Sequence, residues 1–362
     1  MTFRRSESQL KDLANFAKHS IEIETVKLSL FESLFRTAAA LFSKIPFQVA
    51  FFKSSKMKKK IGEVLEKEKF DAVYYHLIRS AQYLTKTGSG KTALNVIDYT
   101  DAVSLYLTRF AEIEKNPFKK FFIKMEQKRI AGYERIAEKF DTLFICSKVD
   151  KQFLLDKGIK AKIELLNNGI DTSYFKADDT DYDEQRIIFT GNMPYYANYD
   201  AAIYFADEIF PKILQNAPEA EFFIVGQKPP QRIKALASNK ISVTGFVPDI
   251  RKEYLKSAVN VAPMRFGAGT LNKVIESIAL GVPVVATKIA VGGLPEELEK
   301  FIFVAGSADE FAAHVIKIIK DPSIRTELME EGKKVISDLL SWDKVVAGFE
   351  SYLSAEVQKL KS

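Results

Sequence analysis

Apolar positions along the chain change rhythm at regular intervals. In the second half, short near-continuous apolar runs alternate with longer stretches of helical period. The runs predict strands over 186–190, 221–225, 241–245, 259–263, 282–287 and 301–304. Helical spacing is expected over 198–215, 232–237, 250–257 and 270–280, and three helices, over 308–320, 323–340 and 342–361, close the chain. Strands this nearly apolar suit a parallel sheet covered on both faces. The first half repeats the alternation less completely. Strands are expected over 21–26, 72–76, 93–98 and 142–146, and helices over 7–18, 28–43, 55–67 and 115–140. Between the halves, Leu165-Leu-Asn-Asn-Gly-Ile-Asp-Thr-Ser-Tyr-Phe175 and the acidic run 178–184 read as turn and linker.

The stretch from Arg265 to Thr287 concentrates candidate chemistry. It reads as strand, glycine turn, helix, glycine stop and strand. Gly267 and Gly269 allow backbone N–H groups to approach a ligand, and a helix start at about Thr270 adds its dipole. Leu271, Val274, Ile275, Ile278 and Ala279 make a buried face. Lys273 and Glu276, three apart, fall on the other face. A solvated ion pair is the plain alternative. The convergence of Arg265, Gly267, Gly269, Lys273 and Glu276 at the carboxyl end of a parallel sheet favours a ligand site, because ligands bind there in open α/β folds.

Composition narrows the class. The chain has 362 residues, 47% hydrophobic and 28% charged, which suits two soluble domains. Cys146 is the only cysteine, so no internal disulfide or thiolate metal site can form. His19, His76 and His314 are far apart, and no metal is expected. A cytoplasmic home follows from this cysteine usage. The net charge of +6 is concentrated in residues 51–60 and 115–129. The second segment interleaves lysines with Phe118, Phe121, Phe122 and Ile123. Either segment can be read as a contact for an anionic membrane surface or as a helix with core aromatics and a solvated basic face. No nucleic-acid reading module is present.

Two motif-like strings are set aside. Thr87-Gly-Ser-Gly-Lys-Thr92 ends like a phosphate loop, but its first glycine position is Thr85 and a strand, not a helix, is expected after it. Asp181-Tyr-Asp183 sits in a charged tract rather than after an apolar strand. No Gly-x-Gly-x-x-Gly follows a strand, which argues against a dinucleotide-dependent oxidoreductase.

With these residues assembled, the chain resembles retaining GT-B glycosyltransferases of the group-one (family-four) branch, nearest to sugar transferases of bacterial exopolysaccharide clusters. The resemblance covers about Ser6 to Glu350. It rests on 165–175, on Ile188-Phe-Thr-Gly-Asn192, Phe223-Ile-Val-Gly226 and Val243-Thr-Gly-Phe-Val-Pro-Asp249, and on Arg265 to Thr287. It implies an α/β fold of two Rossmann-like domains facing a cleft: 1–166, a hinge at 167–184, a nucleotide-sugar domain at 185–340, and a final helix, 341–362, returning to the first domain.

The resemblance also implies roles. Gly191, Asn192 and the turn Gly267-Ala268-Gly269-Thr270 would face the donor diphosphate, and Arg265 and Lys273 would neutralise it. Glu276 would bind ribose hydroxyls, and Gly245, Phe246 and Val247 would border the base. His76 would stand near the transferring sugar, with Arg79, Asp98 and Asp101 on the acceptor side. From the residues alone, a core histidine and turn-capping aspartates are equal alternatives. Transfer would proceed with retention, without a metal or other cofactor, from a nucleotide-sugar to a saccharide or lipid-linked acceptor. A non-catalytic sugar-nucleotide-binding protein and a sugar-nucleotide epimerase of the same architecture are the alternatives.

Three departures stand out. No cation follows Gly191. Ala268 occupies the place of the family's first glutamate. The expected strand at 21–26 matches the family's third, so the first βαβ unit is expected to be missing or supplied by a partner.

Overall fold

The computed structural model describes residues 2–4, 22–85, 93–176 and 181–362. The chain forms two units, one of residues 1–144, 154–164 and 352–362, the other of 145–153 and 165–351.

In the first unit, β1 (Thr2–Arg4) pairs in parallel with β2 (Thr25–Lys27) as a separate two-stranded sheet. Helix α1 (Leu30–Ala39) starts where the Ser29 hydroxyl accepts the Glu32 N–H at 3.4 Å, and it runs on into a 3-10 turn, Ala40–Phe42. Helices α2 (Phe47–Phe51) and α3 (Ser55–Lys67) follow, the second capped by Ser54. Next come β3 (Ala72–His76), a 3-10 turn over Ile78–Tyr83, β4 (Leu94–Thr100) and α4 (Val103–Ile113). Asn116 caps α5 (Pro117–Glu134), whose Pro117 sits in the first turn, where a missing N–H costs nothing. Strands β5 (Thr142–Ile145) and β6 (Ile163–Leu165) complete the order β3-β4-β5-β6; between them, α6 (Lys148–Asp156) belongs to the second unit as far as Phe153. Strands β3 and β4 are in parallel register from Ala72↔Leu94 to His76↔Asp98, which sets their carboxyl ends side by side.

The second unit is a six-stranded sheet, β12-β11-β10-β7-β8-β9. Its strands are β7 (Asp183–Thr190), β8 (Glu221–Val225), β9 (Ile241–Gly245), β10 (Ser257–Ala262), β11 (Val284–Thr287) and β12 (Ile302–Ala305). Each pairing is parallel. Its helices are α7 (Tyr196–Tyr204), α8 (Phe210–Leu214), α9 (Gln231–Lys234), α10 (Ile250–Leu255), α11 (Asn272–Ala279), α12 (Lys288–Val291), α13 (Ala308–Lys320) and α14 (Ser323–Leu340). A π turn, Phe205–Ile209, joins α7 to α8. That wider turn precedes Pro211, which has no N–H for the normal ladder. Every residue of β10 is buried, as a strand covered on both faces requires.

The apolar rhythm locates the strands of the second unit within three residues. Elsewhere the structure differs. The strand expected at 21–26 is only Thr25–Lys27, and it pairs with β1 rather than with the four-stranded sheet. The expected helices 28–43 and 115–140 each end in 3-10 turns. The expected helix 7–18 and the string 87–92 lie outside the described residues.

The hinge expected at 167–184 is not a free linker over its described part. Ile170 N–H donates to the Leu340 carbonyl at 2.7 Å, and Trp342 N–H to the Ile170 carbonyl at 3.1 Å. Asp171 accepts the N–H groups of Ser173 and Tyr174, each at 2.9 Å, and so turns the chain. Phe175 packs on the cluster of Ile188, Val225, Tyr254, Leu255, Leu280 and Val282. Asp183 and Glu184, read as linker, open β7. The final helix, α15 (Trp342–Lys361), belongs to the second unit as far as Ser351 and to the first from Tyr352. There the Tyr352 hydroxyl lies 2.9 Å from that of Thr142, and its ring packs edge-on against Phe144.

Candidate functional site

The carboxyl ends of β7 and β10 and the start of α11 place a charged cluster inside the second unit. Lys273 and Glu276 are on α11 as spacing predicts, but they are not a solvated pair. Lys273 is 8% exposed. Its Nζ donates to Asn198 Oδ1 at 2.8 Å and lies 3.9 Å from the centre of the Phe189 ring. Burial lowers its pKa to about 7, with the Glu276 carboxylate pulling the other way. Burial likewise raises Glu276, opposed by a hydrogen bond from Tyr254 and by Lys273.

Tyr254 was not singled out from sequence. It is wholly buried, its hydroxyl 3.0 Å from Glu276 Oε2 and 2.6 Å from Thr190 Oγ1. With the phenol donating to the carboxylate, Thr190 donates to the phenol oxygen. Burial first, and then the Glu276 charge, hold this phenol well above its usual pKa, so it stays a donor. Asn260 Nδ2 donates to the Lys273 carbonyl at 3.1 Å and fixes the first turn of α11 to β10.

Gly191 follows β7, and its role is steric. A Cβ there would stand 2.8 Å from the Asn198 side chain. Only hydrogen leaves Asn198 room to reach Lys273. Arg265, expected to meet phosphate, is instead paired with Asp200: its Nε donates to Oδ2 at 2.9 Å and Nη2 bonds Oδ1. Both cations are therefore held by α7, through Asn198 and Asp200. Two polar side chains buried in an otherwise apolar helix were the available sequence signal.

The glycine turn also differs from expectation. The helix begins at Asn272, with Leu271 extended before it, rather than at Thr270. Gly269 adopts φ +70°, a conformation that favours glycine. Its N–H, expected to face an anion, is held by Asp150 Oδ2 at 3.1 Å. Thr270 donates to the carbonyls of Cys146 and Gly293 at 3.1 and 2.8 Å. Gly267 and Ala268 are half-buried beside them. Asn168 of the hinge motif donates to Asn272 Oδ1 at 3.0 Å. Asn192 and Phe246 are exposed, and Gly245 and Val247 half-buried, at the ends of β7 and β9.

In the first unit, β3 and β4 bring His76, Asp98 and Asp101 to one end of the sheet. His76 Nδ1 is 3.4 Å from Asp98 Oδ2, which also accepts the Tyr74 hydroxyl at 2.5 Å. The imidazole is largely exposed, which removes the core-histidine alternative. Asp98 Oδ1 accepts the Thr100 N–H at 2.6 Å, so Asp98 caps its turn and orients His76 together. Leu77 and Thr100 hold φ of +68° and +65°. Such backbone is costly for residues with a Cβ and gathers at functional sites. Asp101 follows, half-buried. A cavity of about 680 Å³ opens beside His76, lined by apolar side chains such as Met57, Ile61, Val64 and Phe70. Arg79 also lines it, its guanidinium 4.4 Å from the centre of the Phe52 ring.

The comparisons with known proteins agree with this architecture. Residues 184–321 match the family model of glycosyl transferases group 1. A 44.6 kDa protein of the cps region of Klebsiella pneumoniae is 24% identical over 243 residues, 64% of this chain and 60% of that protein. The match thus spans less than two thirds of that relative's length. The fold is similar to sucrose-phosphate synthase of Thermosynechococcus elongatus, with TM-score 0.68, 16% identity, and 94% and 86% of the two chains covered. It is also similar to Anabaena HepE in complex with UDP and glucose, with TM-score 0.66, 15% identity, and 98% and 91% covered. Residues 184–321 are thus similar to the glycosyl transferases group 1, and the shared two-sheet architecture gives the chain the GT-B fold.

Proposed function

We propose that this protein transfers a sugar from a nucleotide-sugar donor to a saccharide or lipid-linked acceptor in the synthesis of a cell-surface polysaccharide. The observation that carries the reading is the buried set of Lys273, Glu276, Asn198 and Tyr254 at the carboxyl end of the second sheet. The relative from a cps region and the UDP-bound structure of similar fold agree with it.

The donor diphosphate lies over the turn 267–270. Arg265 exchanges Asp200 for phosphate, and Lys273 gains a proton as the anion arrives. These two charges stabilise the leaving diphosphate in place of a metal ion. Glu276, steadied by Tyr254, accepts the ribose hydroxyls. The base rests near Gly245, Phe246 and Val247. In the first unit, Asp98 orients His76 for the acceptor side of the reaction. The apolar cavity next to His76 and Arg79 suits the hydrophobic part of a lipid-linked acceptor. The sugar transfers with retention, a leaving phosphate oxygen taking the acceptor proton. The place of work is the cytoplasmic face of a membrane.

A panel of nucleotide sugars, screened by thermal shift and then for nucleoside diphosphate release with and without lipid acceptor, tests this. Release should depend on acceptor, survive EDTA and give a product of retained anomeric configuration by NMR. Binding without turnover would instead mark a non-catalytic binding protein. Sugar interconversion without acceptor would mark an epimerase.

A further inference from the structure

The first unit turns an apolar, basic face to solvent. On α1 and the turn after it, Phe31 is 83% and Phe42 95% exposed, with Leu34 and Phe35 also exposed. On α5, Phe118 is 71% exposed, and Phe121 is exposed beside it. Isolated exposed apolar residues are ordinary, but a cluster of large ones marks an interaction surface.

The segment after α1 meets α5. Phe118, Phe122, Glu126 and Arg129 recur at helical spacing and form a single stripe of α5. The far end of the stripe is covered by the segment after α1. Glu126 accepts the Phe47 N–H at 2.8 Å, Arg129 donates to the Leu41 carbonyl at 3.0 Å, and its guanidinium lies 4.6 Å from the centre of the Phe47 ring. The near end carries the exposed phenylalanines.

Charge selects the partner. Residues 27–62 hold eight basic side chains and one acidic, Glu32, and residues 115–125 hold four lysines and no acid. In sequence, Lys44 lies two residues after Phe42, and Lys119 and Lys120 stand between Phe118 and Phe121. A second copy would set this positive field against itself. The rings protrude, as insertion into lipid requires.

We propose that this face docks on an anionic lipid bilayer. The rings of α1, Phe42 and the start of α5 sink into the headgroup–acyl boundary, and the lysines meet lipid phosphates. The site differs from the sequence expectation over 51–60, where Phe51 and Phe52 are half-buried and the rings that reach solvent lie earlier, on α1. No helix among the described residues is long and apolar enough to cross a membrane, so contact would be interfacial. The proposal extends the reading of a lipid-linked acceptor, and its evidence is separate.

Co-sedimentation of the full chain with phosphatidylglycerol–phosphatidylcholine vesicles, against phosphatidylcholine alone, tests it. Binding should require the anionic lipid and weaken with salt. The variant F31S/F42S/F118S should lose it roughly tenfold or more, and K119E/K120E should lose the preference for anionic lipid. UDP binding should persist in both, which separates a failed docking face from a failed donor site. Absence of vesicle binding, or equal binding by the variants, would overturn the proposal. So would light scattering that shows a dimer dissolved by F31S/F42S/F118S.

Discussion

The ammonium of Lys273 meets the side-chain carbonyl of Asn198 at 2.8 Å, with the Phe189 ring centre 3.9 Å away. Burial holds this lysine near pH 7 against the pull of Glu276, and Asn198 gives it a dipole rather than a second carboxylate. With UDP, the ligand of the HepE structure, as the probe, we predict that binding takes up protons. Affinity should fall as pH rises above about 7 and should not change steeply below it. In Asn198→Asp the added carboxylate raises the lysine pKa, and the fall should move up by about one unit or more. Calorimetric titration of UDP across pH reads this directly; an unmoved profile would separate Asn198 from Lys273.

Lys273→Met should lose UDP binding yet melt no lower, and higher in mild acid. The sign follows from the lowered pKa. Below pH 7 the folded chain carries a desolvated ammonium at full cost. Between about 7 and the ordinary lysine value the unfolded chain binds the extra proton, so this group's contribution rises with pH. Removing the amine removes both the cost and that slope. Thermal melts of the two proteins at several pH values decide the matter.

Glu276→Ala should abolish donor-induced thermal stabilisation, because the proposed ribose contact and the Tyr254 partner both disappear. Tyr254→Phe should be milder, about 1 kcal/mol or roughly fivefold in UDP affinity, the value of one hydrogen bond. If Glu276→Ala bound UDP normally, the carboxylate would have another role.

Gly191→Ala should destabilise the second unit by about 1–3 kcal/mol, the usual penalty for overpacking. The new methyl would press on Asn198 at 2.8 Å and draw it from Lys273. Denaturant midpoint and UDP affinity should therefore fall together.

His76→Ala should leave UDP affinity unchanged and lower turnover by roughly a hundredfold, in the range found for positioned acid–base groups. Asp98→Asn should weaken turnover less but also lower stability, because Asp98 holds the Tyr74 hydroxyl and the Thr100 N–H as well as facing His76. A matched loss of donor binding would remove both residues from the acceptor-side reading.

The sheet of the second unit was legible because most of its strands carry near-continuous apolar runs; the edge strand β9 alternates instead, with Ser242 and Thr244 exposed. Lys273 and Glu276 were legible as a pair by helical spacing. Their burial was not, because spacing fixes which face a residue shares and not what covers that face. Asn198, Asp200 and Tyr254 lie 75, 65 and 22 residues from the groups they hold, and one sequence carries no sign of such pairings. The short strand at Thr25–Lys27 and the 3-10 ends of α1 and α5 eluded the apolar rhythm for a different reason. Helical spacing over residues 28–43 continues past Ala39, where only the backbone changes pitch.

The seating of Gly169 against Trp342 limits how the second unit can be cut from the chain. A Cβ at Gly169 would stand 2.5 Å from the indole, and the neighbouring backbone joins Ile170 to Leu340 and Trp342. Asp150 reaches the glycine turn from still earlier in the chain. The piece that folds is therefore a spliced body, 145–153 with 165–351, wider than the contiguous stretch 184–321 that carries the family likeness. Expressed alone, that stretch would lack both its Asp150 clasp and the indole bolt, and it should aggregate where the full chain does not.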